Sequence, residues 1–95
     1  MTNENVVFVG NKKEKNAMDY ALAILTQINN GAHEIIVKGR GRAISRVFDA
    51  TEIVKNNFSK GIEYKLITPS TETFKVEGDS RIVKVTSIEV VLAKK

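Results

Sequence analysis

The chain has no cysteine and no tryptophan, and only one histidine and one proline in 95 residues. Without cysteine there is no disulfide framework, no thiolate nucleophile and no cysteine-based zinc finger. The single histidine, His33, follows a helix-ending turn and has no nucleophile or acid at a spacing that would make it a catalytic base. No apolar run exceeds a few residues, so no segment can span a membrane. The opening residues, Met1 to Val7, lack the basic region and apolar stretch of a secretory signal, and an intracellular, cytoplasmic protein is expected. Scarce proline and a 42% hydrophobic content exclude a disordered chain. The length suits one domain, residues 1–95, with a modest core.

What the chain does have is a basic first half. The net charge is +4. Between Gly10 and Arg46, Lys12, Lys13, Lys15, Lys38, Arg40, Arg42 and Arg46 face only Glu14, Asp19 and Glu34, and elsewhere bases and acids balance. The entire excess lies in that segment, an asymmetry that points to a polyanionic partner, nucleic acid first.

The order of elements follows from periodicity. Val6 to Val9 is a short β-branched and aromatic run closed by Gly10, and reads as a buried strand. Asn16 is placed to cap a helix, with Asp19 three residues on as an imperfect capping box and a favourable first-turn charge. Met18, Ala21, Leu22, Leu25 and Ile28 then follow helical spacing, and Gly31 suits a left-handed stop. Glu34 to Val37 reads as a second strand. Ile44, Val47, Phe48, Thr51, Val54 and Phe58 mark one face of a helix from about Ala43 to Phe58. A third strand begins near Ile62, with Pro69 either interrupting its ladder or limiting it to an edge. The fourth runs from Ile82 to Ala93, and its change of phase near Thr86 and Ser87 predicts a bulge or burial on both faces. Residues 77–80 have the chemistry of a hairpin tip. The expected fold is a two-layer α/β (α+β) domain, βαβαββ, with a mixed four-stranded sheet and an extended hairpin between strands three and four.

The segment Lys38 to Arg46, KGRGRAISR, joins the second strand to the second helix. Strand, Gly-x-Gly and helix are the setting of a dinucleotide site, but the third required glycine is Ile44, whose side chain would obstruct close packing. No Gly-Lys-Ser/Thr follows, which removes a P-loop. A tight basic turn remains. Its glycines permit backbone approach and positive φ, and Arg40 and Arg42 can fork onto phosphate oxygens. Ser45 and Arg46, in the first helical turn, can add contacts. A solvated connection is the alternative, and the charge partition favours phosphate. Asp49 and Glu52, three apart on the second helix, could share a cation, but a solvated helix face or pairing with Arg46 and Lys55 is the simpler reading. No catalytic or metal-binding set emerges, and no cofactor is called for.

Three blocks carry a family resemblance: NVVFVG (5–10), MDYALAILTQINNGAHEIIVKGRGRAISR (18–46) and DATEIVKNNF (49–58). With TSIEV (86–90) they resemble the Alba family of archaeal chromatin proteins over nearly the whole chain. The resemblance implies a non-enzymatic homodimer, associated with the chromosome, that binds double-stranded DNA and often RNA. It implies that the loops after the first and second strands meet the nucleic-acid backbone through Lys12, Lys13, Lys15, Arg40 and Arg42, with Asn5, Ser45 and Arg46 in support. The hairpin arm, carrying Lys75, Arg81 and Lys84, would reach toward the minor groove. Phe58 would join dimers side by side. The family's acetylatable lysine falls among Lys12, Lys13 and Lys15. Relatives also serve as RNA-processing subunits. Two departures stand out. The first loop is three residues longer than the usual Gly-Lys-Lys-Pro form and contains Glu14. The arm carries Glu72, Glu77 and Asp79 among its bases. Weaker sequence-blind affinity and a more selective role are expected from them.

Overall fold

The computed structural model describes residues 5–58, 61–78 and 80–94. Strand β1 (Val6–Phe8) leads to helix α1 (Ala17–Asn29) and strand β2 (Glu34–Arg40). A 3-10 turn (Gly41–Ala43) opens helix α2 (Ile44–Ile53), which ends in a π-turn (Val54–Phe58). The long strands β3 (Ile62–Lys75) and β4 (Ile82–Lys94) complete the βαβαββ order. The sheet runs β1-β2-β4-β3, with β1 parallel to β2 and the other neighbours antiparallel. This is the mixed four-stranded, two-layer architecture expected, and β3, with Pro69, is an edge strand.

One core lies between the helices and one face of the sheet. Val7, Val9, Ile35, Val37, Ile88, Val90 and Leu92 meet Ala21, Ile24, Val47, Ala50 and Val54 there. Asn16 and Asp19 form the full capping box, at 3.1 and 2.8 Å. Gly31 takes φ 98° at the stop of α1, a conformation that costs other residues.

Four expectations need correction. The buried face of α1 is Tyr20, Ala21, Ile24 and Ile28, whereas Met18 and Leu22 are exposed. Two overlapping sets in this segment satisfy helical spacing, and the one chosen brings the Tyr20 hydroxyl to the Gly10 amide, 3.1 Å away. The second helix does run to Phe58, but its last turn, Val54–Phe58, is π rather than α. The π-turn adds residues per turn, so Phe58 swings off the line of Val47, Thr51 and Val54 and is 51% exposed. The register shift is not in β4 but in β3, between Tyr64 and Leu66. The phase change in β4 instead follows coverage: Ile88, Val90 and Leu92 lie under the helices, while Val83 and Val85 point to the opposite face beyond them. Finally, β1 is buried on one face only, since Phe8 points away from the helices and is 71% exposed.

Strand β2 pairs with β4 only as far as Arg40 opposite Ser87, whereas β3 continues along β4 to Lys75 opposite Ile82. Residues 71–75 and 82–86 are therefore a two-stranded arm, which accounts for a longest dimension of 47 Å. Gly78, at φ 79°, turns its tip. Asp79, one of the arm's acids, lies outside the described residues.

Candidate nucleic-acid interface

Because β1 and β2 are parallel, the loops that leave them emerge at the same end of the sheet. The antiparallel β4 begins at that end, so the arm projects from it too. Two basic segments, the loop 10–16 and the turn 40–43, thus converge with the arm, which carries acids and bases in equal number.

The first loop is anchored rather than loose. Arg46, from the first turn of α2, donates through Nη1 to the carbonyls of Gly10 and Lys12, both at 3.0 Å. The Gly10 amide donates to Tyr20, and the Lys15 ammonium lies 5.7 Å from that ring's centroid. Lys12, Lys13 and Lys15 remain exposed on the loop. Arg46 therefore sits beneath the lysines with its guanidinium on the loop backbone, tying the first basic loop to the second. Asn5 is placed at the far end of β1, where its carbonyl accepts from the Ile36 amide.

The second loop needs its two glycines for different reasons. Gly41 has φ 58°, where a side chain is strained. At Gly39 the backbone is extended, but a Cβ would come 2.5 Å from Val47 Cγ2, so the missing side chain lets α2 rest on the strand. The close helix-to-strand approach is thus made by Gly39, and Ile44 does not obstruct it. Ala43 is buried beneath the turn, and Arg42 and Ser45 are exposed. Arg42 has no ion pair among the described residues. Arg40 is held by the root of the arm, 3.5 Å from Glu72 Oε1 and with its guanidinium carbon 5.1 Å from the Phe74 ring centroid. Lys38 is similarly placed, 3.5 Å from Glu89 Oε1 and 5.9 Å from the Phe8 centroid.

These groups enclose a cleft of about 750 Å³ between the first loop, the uncovered face of the sheet and the arm. On the arm, Lys75, Arg81 and Lys84 are exposed. They flank the tip and do not reach the cleft. Phe58 lies at the other end of α2, remote from it. Phe8 and Tyr20 are not among the residues expected here, and the pairing of Lys38 with Glu89 and of Arg40 with Glu72 cannot be read from spacing along the chain. Alternation sets Phe8 opposite Val7 and Val9, but in an all-apolar run it does not say which side faces out.

Beside Phe58, Tyr64 donates to Glu52 at 2.5 Å and pairs with Thr51 at 2.9 Å, and Asn56 also donates to Glu52. Burial, followed by the Glu52 hydrogen bond, pushes the Tyr64 hydroxyl up to about 12, and the same bond holds the Glu52 carboxyl below its usual range. Glu52 is thus committed to fixing the π-turn on β3. No group of three or more metal-ligating side chains occurs among the described residues, and no described helix is long and apolar enough to cross a membrane.

A two-layer α+β body with two basic loops and a β-arm at one end defines the class. The Alba family model matches residues 5–71, and the chain belongs to that family. Among curated relatives, "DNA/RNA-binding protein Alba 1" of Archaeoglobus fulgidus is 48% identical over 92 residues, 97% of this chain and 98% of the relative. "DNA/RNA-binding protein Alba" of Methanoculleus marisnigri is 47% identical over 92 residues, 97% of this chain and 96% of the relative. Among solved structures, Alba from Thermoplasma volcanium superposes with a TM-score of 0.83 at 40% identity, over 95% of this chain and all of that one. ALBA1 from Trypanosoma brucei shares the fold at a TM-score of 0.74 and 24% identity, over 99% of this chain and 72% of that one.

Proposed function

We propose that the protein is a non-enzymatic, homodimeric nucleic-acid-binding protein that engages double-stranded DNA, and RNA as well, through backbone phosphates. The carrying observation is the convergence of loop, turn and arm at one end of the sheet. Lys12, Lys13, Lys15 and Arg42 meet phosphates directly, and Arg40 does so by exchanging its Glu72 partner. Arg46 holds the first loop in place, Ser45 adds a hydroxyl, and the arm bases follow a groove. The names borne by relatives from Archaeoglobus and Methanoculleus support the nucleic-acid reading. Such a dimer serves chromosome architecture in the cytoplasm.

Dimer formation is supported by the edge strand β3, where Leu66 and Ile67 are exposed on opposite faces. The exposed Phe58, on its braced π-turn, is a second apolar contact for dimers lying side by side. Anisotropy titrations of duplex DNA and of RNA at one salt concentration, with light scattering for mass, test the proposal. Binding of both, by a particle twice the 10.5 kDa chain mass, is expected. No binding to either, or a monomer, would contradict it.

A second reading, an RNA-selective role, draws on the two ion pairs of the cleft. Glu72 and Glu89 occupy Arg40 and Lys38 before any phosphate arrives, which disfavours dense duplex phosphate more than a sparse single strand.

A further inference from the structure

A single exposed apolar side chain is ordinary on a protein surface. A phenyl ring standing at the mouth of a cationic cleft is a different matter. Phe8 is 71% exposed, while Val7 and Val9 beside it are buried, so its direction is fixed by the strand pleat. The cross-strand register places Phe8, Lys38 and Glu89 in one row of the uncovered sheet face, with Arg40 and Ser87 in the next. The Lys38 ammonium lies 5.9 Å from the ring centroid, and Lys12 and Lys15 line the same cleft. An aromatic face, cations within reach of a sugar–phosphate chain, and room of about 750 Å³ occur together. That combination is the physical basis of single-strand recognition, in which a base stacks on a ring and its phosphates meet nearby cations.

We propose that this cleft is a stacking site for one unpaired base of a single-stranded nucleic acid, with Phe8 as the platform. Lys38 and Lys12 hold the flanking phosphates, and Glu89 accepts from the base's amino group or from a ribose hydroxyl. A duplex cannot use the site, because its base faces are already stacked. The site deepens the nucleic-acid reading above and rests on it. It shares Lys12 with the loop contacts and differs from them in requiring a base face.

The test is a set of anisotropy titrations with the full chain carrying Phe8→Ala, Phe8→Leu or Phe8→Tyr. The probes are an oligocytidylate of about twelve nucleotides and its deoxy counterpart, both within single-strand site sizes, and a duplex of similar length. Phe8→Ala and Phe8→Leu should each weaken single-strand binding about tenfold and leave the duplex within about twofold, whereas Phe8→Tyr retains affinity. A larger loss with the ribo- than with the deoxy-oligomer assigns the ligand to RNA, and equal losses assign it to either strand type. The ring is exposed, so the variants should fold, and thermal melts check this. Equal loss on duplex and single strand, full affinity in Phe8→Leu, or a changed oligomeric mass would each overturn the proposal, the last by making Phe8 a subunit contact. If the wild type binds neither probe class, the broader function fails. If it binds both and Phe8→Ala changes neither, only the stacking site fails.

Discussion

Replacing Arg46 by alanine separates two roles that a basic residue near nucleic acid can play. As an anchor, Arg46 loses two hydrogen bonds of 3.0 Å, to the carbonyls of Gly10 and Lys12. A hydrogen bond from a charged donor contributes roughly 1.5–3 kcal/mol when the acceptor is otherwise unsatisfied. Both carbonyls can turn to water once released, so a total loss of about 2 kcal/mol is expected. At about 4–8 °C per kcal/mol for a domain of this size, Tm should fall by roughly 10 °C. The freed loop must then be reordered when nucleic acid binds. Fixing one residue's backbone costs about 1–2 kcal/mol, and tethering at both ends confines the total to about that much, a loss of roughly 5- to 30-fold in affinity. Lys12, Lys13 and Lys15 are still present, so the salt slope should hardly change. In a Lys12→Ala, Lys13→Ala, Lys15→Ala background, Arg46→Ala should cost little further affinity, because there is no longer a cation to position. Salt-series anisotropy and thermal melts read all of this. An unchanged Tm with a slope reduced by about 0.9, additive with the lysine variants, would refute the anchoring role and make Arg46 a direct phosphate contact.

Three further outcomes follow from particular contacts. Gly39→Ala drives a Cβ to 2.5 Å from Val47 Cγ2 and should cost about 1–3 kcal/mol in urea unfolding, partly recovered by Val47→Ala; a neutral substitution would contradict the close approach. Glu72→Gln releases Arg40 and removes a negative charge, and should tighten duplex binding about 2–5-fold at low salt; weaker binding would mean that the pair orders Arg40 for phosphate rather than competing with it. Tyr64 has its hydroxyl raised to about 12 in the folded chain, against about 10 when unfolded. Its contribution is complete below about pH 10 and is lost as pH rises toward 12, because only the unfolded state then ionises freely. Urea midpoints should decline over that window and do so less in Tyr64→Phe, and parallel curves would contradict the assignment.

Much of the fold was legible because it rests on local signals. Asn16 and Asp19 announce the start of α1, Gly31 its end, and the alternating strands the order βαβαββ. The convergence of two basic loops follows once β1 and β2 are taken as parallel. What sequence could not carry were decisions made by distant partners. The phase of α1 depends on Tyr20 finding the Gly10 amide, and the role of Arg46 depends on carbonyls 36 and 34 residues away. The π-turn that frees Phe58 breaks the very period from which a helix is read. Gly39 looked like half of a nucleotide fingerprint, yet its missing side chain serves helix packing. Phe8 was hidden within an apolar run, where a strand covered on one face and a strand covered on both read alike.

The central claim is that the basic turn after β2 meets phosphates directly. The dependence of duplex affinity on salt, measured for the wild type and for the Arg40→Ala, Arg42→Ala double variant, tests it most directly. Removing one cation from a phosphate should reduce the slope of log K against log salt by about 0.9, so the double variant should be shallower by about 1.8. Parallel lines, with or without a drop in affinity, would mean that these arginines do not touch the nucleic-acid backbone.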